Sequence, residues 1–219
     1  MLKAILFDLD GVICSTDTYH YQAWKAMADT MGIYFDETIN NRLRGVSRME
    51  SLEIILERYQ GPALSDARKK ELAEEKNSTY RRLLAGMSPA DLAEEVFDTL
   101  EALRRSGLKL GIGSSSKNAL FILERLGLGS YFDAVADGNQ ISRSKPDPEV
   151  FLTGAQLLGV SPDECLVVED AVSGAEAGHR GGLRVACVGD AAAAGAGDFN
   201  LTAFGQLQEV VNQLGKERL

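Results

Sequence analysis

The chain has 219 residues, 45% of them apolar and 25% charged, and carries a formal net charge of −9. That length can bury a sizeable core, while the acidic balance argues against nucleic acid or an anionic membrane as the main partner, since both call for a basic face. Cys14, Cys165 and Cys187 are odd in number and lack any CxxC or zinc spacing, which points to a reducing cytoplasm; no run approaches a membrane span, and the first residues lead into a strand without a signal peptide.

Residues 3–7 (KAILF) read as a short strand buried on both faces, because consecutive apolar side chains without polar alternation suit a parallel sheet covered by helices. Asp8 then falls at the carboxyl end, where ligands bind in open α/β sheets, and Asp10-Gly11 turns the chain out of the sheet. Beyond Val12 the pattern becomes helical. Tyr21, Trp24, Met27, Ala28 and Met31 share one face of a helix over 17–31 that Gly32 ends. A second helix is expected over 36–43. Ser47 followed by Glu50 has the form of a capping box and starts a third, with Leu52, Ile55, Leu56 and Tyr59 inward. A charged helix from Ser65 to Leu84 closes a block without strand-like runs, so residues 15–89 are an expected all-helical insertion.

From Pro89 the chain alternates. A helix over 94–105 (Val96, Leu100, Leu103) leads to a strand over 108–113, the loop Ser114-Ser115-Ser116 and a helix over 117–126. A weak strand near 134–136 precedes Ser144-Lys145-Pro146-Asp147-Pro148 and a helix over 149–158. The strand 165–168 ends on Glu169-Asp170 and enters a helix rich in small residues; the strand 184–188 is expected last, before a mobile small-residue loop over 191–197 and a terminal helix near 203–214. His179 is assigned to packing or surface. Such alternation means an α/β fold, a doubly wound parallel-sheet, Rossmann-like core formed by residues 1–14 and 90–219, with the helical block inserted after the first strand. Right-handed crossovers then bring the polar clusters after several strands to one edge.

Gathering Asp8, Asp10, Glu169 and Asp170 at that edge creates an electrostatic problem. Two carboxylates about 4 Å apart repel by roughly 4 kcal/mol at an effective dielectric near 20. A hard divalent cation resolves it, and Mg²⁺ is favoured because it takes few carboxylates and keeps positions for water and phosphate oxygens. Lys145, held extended by the following proline, adds a positive centre. Ser114, Ser116 and the amides at the helix start near Lys117 offer donors that suit a phosphoryl group. A metal, a lysine, a hydroxyl and an amide cradle describe phosphoryl transfer, and a carboxylate can serve as nucleophile.

Asp8-Leu9-Asp10-Gly11, Ser114 after a strand, Lys145-Pro146 and Glu169-Asp170 resemble, in order and spacing, the four motifs of the haloacid dehalogenase superfamily. The resemblance spans the whole chain, and the helical block is similar to that superfamily's cap domain. It implies that Asp8 is the nucleophile of an aspartyl phosphate and Asp10 the general acid and base. One Mg²⁺ per chain would be held by Asp8, Glu169, Asp170 and the Asp10 carbonyl.

A mutase, unlike a phosphatase, needs a second anion site. Arg44-Gly45-Val46-Ser47-Arg48 offers two arginines around backbone amides at a helix start, a grip for a distal phosphate. That segment, with Thr16, His20, Trp24, Ser51 and Lys76-Asn77, resembles the β-phosphoglucomutase family within the superfamily. So do Ser114-Ser115-Ser116-Lys117-Asn118 and Ser88-Pro89-Ala90-Asp91. The resemblance implies interconversion of β-glucose 1-phosphate and glucose 6-phosphate through β-glucose 1,6-bisphosphate, with small sugar phosphates as the partners and a monomeric chain. It makes Ser114 and Lys145 catalytic and His20 a link between substrate binding and Asp10. A sugar-phosphate phosphatase with the same motifs, and a non-enzymatic phospho-acceptor domain, remain alternatives. The chain departs from the family pattern at Cys14-Ser15, where Asp is common at the second position, at Arg44 in place of Lys, and at Glu94-Glu95 in place of Pro-Gly.

Overall fold

The structure is a computed structural model that describes residues 1–43 and 46–216. In chain order the elements are β1 (Ala4–Phe7), α1 (Asp17–Thr30), α2 (Glu37–Asn41), α3 (Arg48–Leu56), α4 (Asp66–Leu84), α5 (Glu94–Arg105), β2 (Lys109–Gly113) and α6 (Ala119–Arg125). There follow β3 (Ala134–Ala136), α7 (Glu149–Leu158), β4 (Cys165–Glu169), α8 (Val172–Arg180), β5 (Arg184–Cys187), α9 (Gly189–Ala193), β6 (Phe199–Asn200) and α10 (Leu207–Lys216). They form two compact units, one of Met1–Ser15 with Ser88–Leu219 and one of Thr16–Met87. No helix among the described residues is long and apolar enough to cross a membrane.

The first unit is built on a parallel sheet of order β3-β2-β1-β4-β5-β6. This is the doubly wound architecture the alternation predicts, and strand order reverses on either side of β1. All four side chains of β1 are wholly buried, as its unbroken apolar run requires. Its register sets Phe7 beside Ile112 of β2 and Val168 of β4. The residues that follow these three strands therefore leave the sheet at one edge.

Missing side chains let α7 lie close to that sheet. A Cβ at Gly154 would come within 2.7 Å of Leu6 Cδ2, and one at Gly113 within 2.7 Å of Phe151 Cδ1. Leu6 and Phe151 occupy the space those two glycines leave, and Val150, Ala155 and Val167 complete the same buried cluster.

Two expectations fail at the carboxyl-terminal end. Residues 189–193 are helical rather than part of a loop over 191–197, because an alanine run has the best intrinsic helix propensity. The strand beginning at Arg184 is not the last: β6 adds an edge, pairing Phe199 with Ala186 and Asn200 with Cys187. Two residues carry too little pattern to be read as a strand.

The second unit is all helix. Trp24, Met27 and Ala28 of α1, Ile39 of α2, Leu52 and Ile55 of α3 and Leu72 and Ala73 of α4 share one apolar core. Ser47 and Glu50 form the predicted capping box, with Ser47 Oγ accepting from the Glu50 amide at 3.3 Å and Glu50 Oε2 from the Ser47 amide at 2.9 Å. Ser65 caps α4 with its hydroxyl, Oγ accepting from the Arg68 amide at 3.2 Å.

Candidate active site

The carboxylates arise where strands stop. The Asp8 amide donates to the Val168 carbonyl at 2.9 Å, carrying the β1–β4 ladder one residue past β1. Glu169 is the last residue of β4 and Asp170 follows it. One oxygen from each of Asp8, Glu169 and Asp170 lies within 4.8 Å of the others, a group that could hold a metal ion. Two glycines make the crowding possible. Gly11 has a φ of 85°, and a Cβ there would sit 2.0 Å from Asp170 Oδ2; one at Gly174 would sit 1.8 Å from Glu169 Oε1. Glu169 Oε2 also accepts from the Asp170 amide at 2.9 Å and the Ala171 amide at 3.0 Å, so β4 and the entrance to α8 fix this carboxylate.

Lys145 is buried and its Nζ donates to Asp8 Oδ1 at 2.6 Å and Glu169 Oε1 at 2.5 Å. It also sits 4.7 Å from the centroid of the Phe151 ring, the ring seated over Gly113. Its peptide bond to Pro146 is cis. Burial favours the neutral amine, but the charges of Asp8 and Glu169 outweigh it and raise the ammonium's pKa. One cation does not balance the site. Asp170 is pushed up to about 8, first by burial and then by the charges of Asp8, Glu169 and Asp10. Glu169 is raised as well, chiefly by burial, with Lys145 opposing and Asp8 reinforcing. Negative charge in excess, gathered oxygens and room kept by two glycines form a donor set that fits a hard divalent cation.

Asp10 stands outside that three-carboxylate group, yet its charge helps to raise both Asp170 and the buried thiol of Cys14, whose main cause is desolvation. Ser114 follows β2 and is buried; its amide donates to the Ala136 carbonyl at 3.0 Å. The helix expected from 117 begins at Ala119 instead. The Ser116 amide donates to Ser114 Oγ at 3.2 Å and the Asn118 amide to Ser116 Oγ at 3.1 Å. Two amides of the expected cradle are thus engaged within the turn, because short serine side chains satisfy nearby backbone donors. Ser115 Oγ is buried without a hydrogen-bond partner, Lys117 lies in the turn, and Asn118 is buried.

The helical unit holds a cationic cluster of its own. Lys76 is buried on α4, with Nζ 2.9 Å from His20 Nδ1 and 4.6 Å from the ring centroids of both Trp24 and Tyr80. The His20 pKa is lowered well below its ordinary value, first by burial and then by the charges of Lys76 and Arg48. The neutral ring accepts from Lys76 at Nδ1, which leaves the proton on Nε2. The His20 ring stacks on Tyr80 with centroids 4.1 Å apart, and Tyr80 Oη donates to Thr16 Oγ1 at 2.9 Å. Arg48, the first residue of α3, donates to Asn77 Oδ1 at 2.9 Å and pairs with Glu74 at 3.3 Å. Ser51 is buried one turn further on, while Val46 and Ser47 are half-buried at the helix start. Arg44 and Gly45 lie outside the described residues. Tyr80, which joins His20 to Thr16, is absent from the sequence reading. Its signal was the α4 spacing, since Lys76, Asn77, Tyr80 and Leu84 fall at three- and four-residue steps on one buried face.

Residues 2–182 match the haloacid dehalogenase-like hydrolase family. The chain is 42% identical over 191 residues to the β-phosphoglucomutase of Bacillus subtilis, covering 86% of this chain and 84% of that protein. It is 33% identical over 184 residues to a phosphorylated carbohydrates phosphatase of Thermotoga maritima, covering 83% and 82%. The crystal structure of a β-phosphoglucomutase from Clostridium difficile matches with a TM-score of 0.90 and 35% identity, covering 98% of this chain and 99% of that one. The resemblance expected from the motifs therefore holds in sequence and in fold, and the chain belongs to the haloacid dehalogenase-like hydrolase family.

Proposed function

We propose that this enzyme is a β-phosphoglucomutase that interconverts β-glucose 1-phosphate and glucose 6-phosphate in the reducing cytoplasm. The observation that carries the reading is the pair of unlike groups: a metal-ready carboxylate cluster in one unit and, in the other, a buried Lys76 with a half-buried Arg48. A substrate with phosphate at either end of a hexose needs both. Relatives that bear the mutase name, at 42% identity in sequence and a TM-score of 0.90 in structure, support it.

In this reading Asp8 is the nucleophile. Phospho-Asp8 gives its phosphoryl group to the free hydroxyl of a sugar monophosphate; the bond from phosphorus to Asp8 breaks as the bond to the sugar oxygen forms, and Asp10 takes the hydroxyl proton. The resulting β-glucose 1,6-bisphosphate presents its other phosphate to Asp8. Asp8 attacks, and Asp10 returns the proton to the departing sugar oxygen. Lys145 and Ser114 hold the phosphoryl oxygens during both transfers. One Mg²⁺, held by Asp8, Glu169, Asp170 and the Asp10 carbonyl, would supply charge neutralisation at the transferring group. Arg48, with Arg44, Ser47 and the amides of Gly45 and Val46, grips the phosphate that is not reacting. Thr16, Trp24, Ser51 and Lys76 contact the sugar side, as do Ser115, Ser116, Lys117 and Asn118 on the core, and His20 couples that binding to Asp10. For transfer to outrun hydrolysis, water has to be kept from the aspartyl phosphate.

The Thermotoga maritima relative favours a second reading, a sugar-phosphate phosphatase on the same core. Products separate the two. With Mg²⁺, β-glucose 1-phosphate and a trace of β-glucose 1,6-bisphosphate, a mutase forms glucose 6-phosphate far faster than inorganic phosphate. Phosphate release that outruns isomerisation would reject the proposal in favour of the phosphatase.

A further inference from the structure

Lys145 has to be delivered to two carboxylates by a segment, residues 137–148, that contains neither helix nor strand. The sheet fixes Asp8 and Glu169, whereas the lysine sits in a turn of residues 144–147 outside any helix or strand. Gly138 and Asn139 tie the start of the segment to residues 116–117, and Arg180 reaches the Pro146 carbonyl; the stretch just ahead of the lysine is tied by the first side chain of α7. Glu149 Oε1 accepts from the Ser142 amide at 3.0 Å and Ser142 Oγ at 3.2 Å, while Oε2 accepts from the Arg143 amide at 2.8 Å and Ser142 Oγ at 2.9 Å. On the other side of Lys145, the Asp147 amide donates to the Ser144 carbonyl at 3.0 Å and Asp147 Oδ1 accepts from the Glu149 amide at 3.0 Å. Arg143 closes the loop from outside, pairing with Asp147 Oδ2 at 3.0 Å. Two backbone donors just ahead of the lysine are thus tied to a helix whose Val150, Phe151 and Ala155 belong to the buried core. Those same amides hold the Glu149 carboxyl below the usual carboxylate range.

We infer that Glu149 is a positioning residue for Lys145, clamping residues 142–143 to α7 so that the ammonium stays registered on Asp8 and Glu169. This rests on the reading of Lys145 as part of the transfer machinery. Groups that orient a catalytic side chain commonly carry about a tenfold to hundredfold share of its effect. A residue that served the fold alone would change the melting temperature and leave turnover untouched.

The test is steady-state kinetics of Glu149→Ala and Glu149→Gln with Mg²⁺ and β-glucose 1-phosphate. The alanine variant should lose kcat by about tenfold or more while KM stays within about twofold. Glutamine keeps one acceptor oxygen, enough for one of the two amides, and should recover part of the loss. Ser142→Ala removes one hydroxyl donor and should cost about threefold in kcat, which keeps the inference open to refutation even where Glu149→Ala unfolds. An alanine variant with full kcat, equal losses for alanine and glutamine, or a loss confined to KM would overturn it. Lys145→Ala is the control: if it is inactive while Glu149→Ala is not, the clamp alone is wrong. If Lys145→Ala turns over at the normal rate, the role given to Lys145 itself is wrong.

Discussion

The two units carry opposite charge problems and solve them differently. In the sheet unit, Asp8, Glu169 and Asp170 gather near one ammonium, and burial first and then the neighbouring carboxylates push Asp170 up to about 8. In the helical unit, burial first and then the charges of Lys76 and Arg48 drive the His20 pKa down; aromatic faces lie beside Lys76, and Asn77 and Glu74 pair with Arg48. The sheet edge is left short of cations. The helix bundle buries an ammonium, Lys76, beside a neutral imidazole. A carboxylate cluster short of cations suits a metal and an electrophile, and a buried ammonium suits an anion; the proposed sugar bisphosphate rests on those two chemistries.

The sharpest way to break that contrast is to remove the nucleophile from the acidic side. Asp8→Asn keeps shape and relieves charge, so the fold should survive while transfer falls on the order of 10⁴-fold or more, read by a coupled glucose 6-phosphate assay. On the cationic side, Arg48→Ala should raise KM for β-glucose 1-phosphate by about tenfold to hundredfold, the worth of a charged hydrogen-bonded grip. The same variant should leave hydrolysis of a small aryl phosphate nearly unchanged. Equal loss on both substrates would mean that Arg48 does not discriminate the distal phosphate.

A pH titration sharpens the comparison without a mutation. Because the folded Asp170 pKa is raised to about 8, the metal-free protein keeps a proton there that the unfolded chain has already lost. Its stability therefore declines as pH rises from the ordinary carboxylate range through about 8, since the folded state binds more protons across that window. Mg²⁺ must displace the proton, so its apparent affinity should rise about tenfold per pH unit below that point and then level off. Asp170→Asn should flatten the stability profile, as followed by thermal melts in chelator. The smallest effect belongs to the helix that presents Arg48. Ser47→Ala removes its cap and should cost about 1 kcal/mol in a denaturant melt, with a modest rise in KM.

How much of this was legible in sequence follows the same divide. Strand ends punctuate a chain sharply, so Asp8, Glu169 and Asp170 could be placed from apolar runs that stop on carboxylates, and the sheet brings them together as expected. Lys145 was legible as a residue type beside a proline, but its anchoring through Glu149 was not, because the clamp joins residues across a stretch without periodicity. In the helical unit the periodicity placed α1 and α4 to within a residue or two, yet Tyr80 went unremarked. A tyrosine at helical spacing says nothing about the hydroxyl it reaches, here Thr16 across the bundle. At 114–118 the serine hydroxyls that suit a ligand also accept from the turn's own amides, which residue type alone did not show. The strand β6 and the helix α9 were lost to brevity and to alanine, which is uninformative about partners.

The central claim is that the carboxylate of Asp8 carries the phosphoryl group between sugar molecules. Rapid acid quench of the Mg²⁺-loaded enzyme turning over isotopically labelled β-glucose 1,6-bisphosphate, followed by peptide mass spectrometry, tests it directly. The account predicts label on the peptide that contains Asp8, chemically labile as an acyl phosphate and transferable to unlabelled β-glucose 1-phosphate on a chase. Label on another residue, or full turnover with none on Asp8, would contradict it.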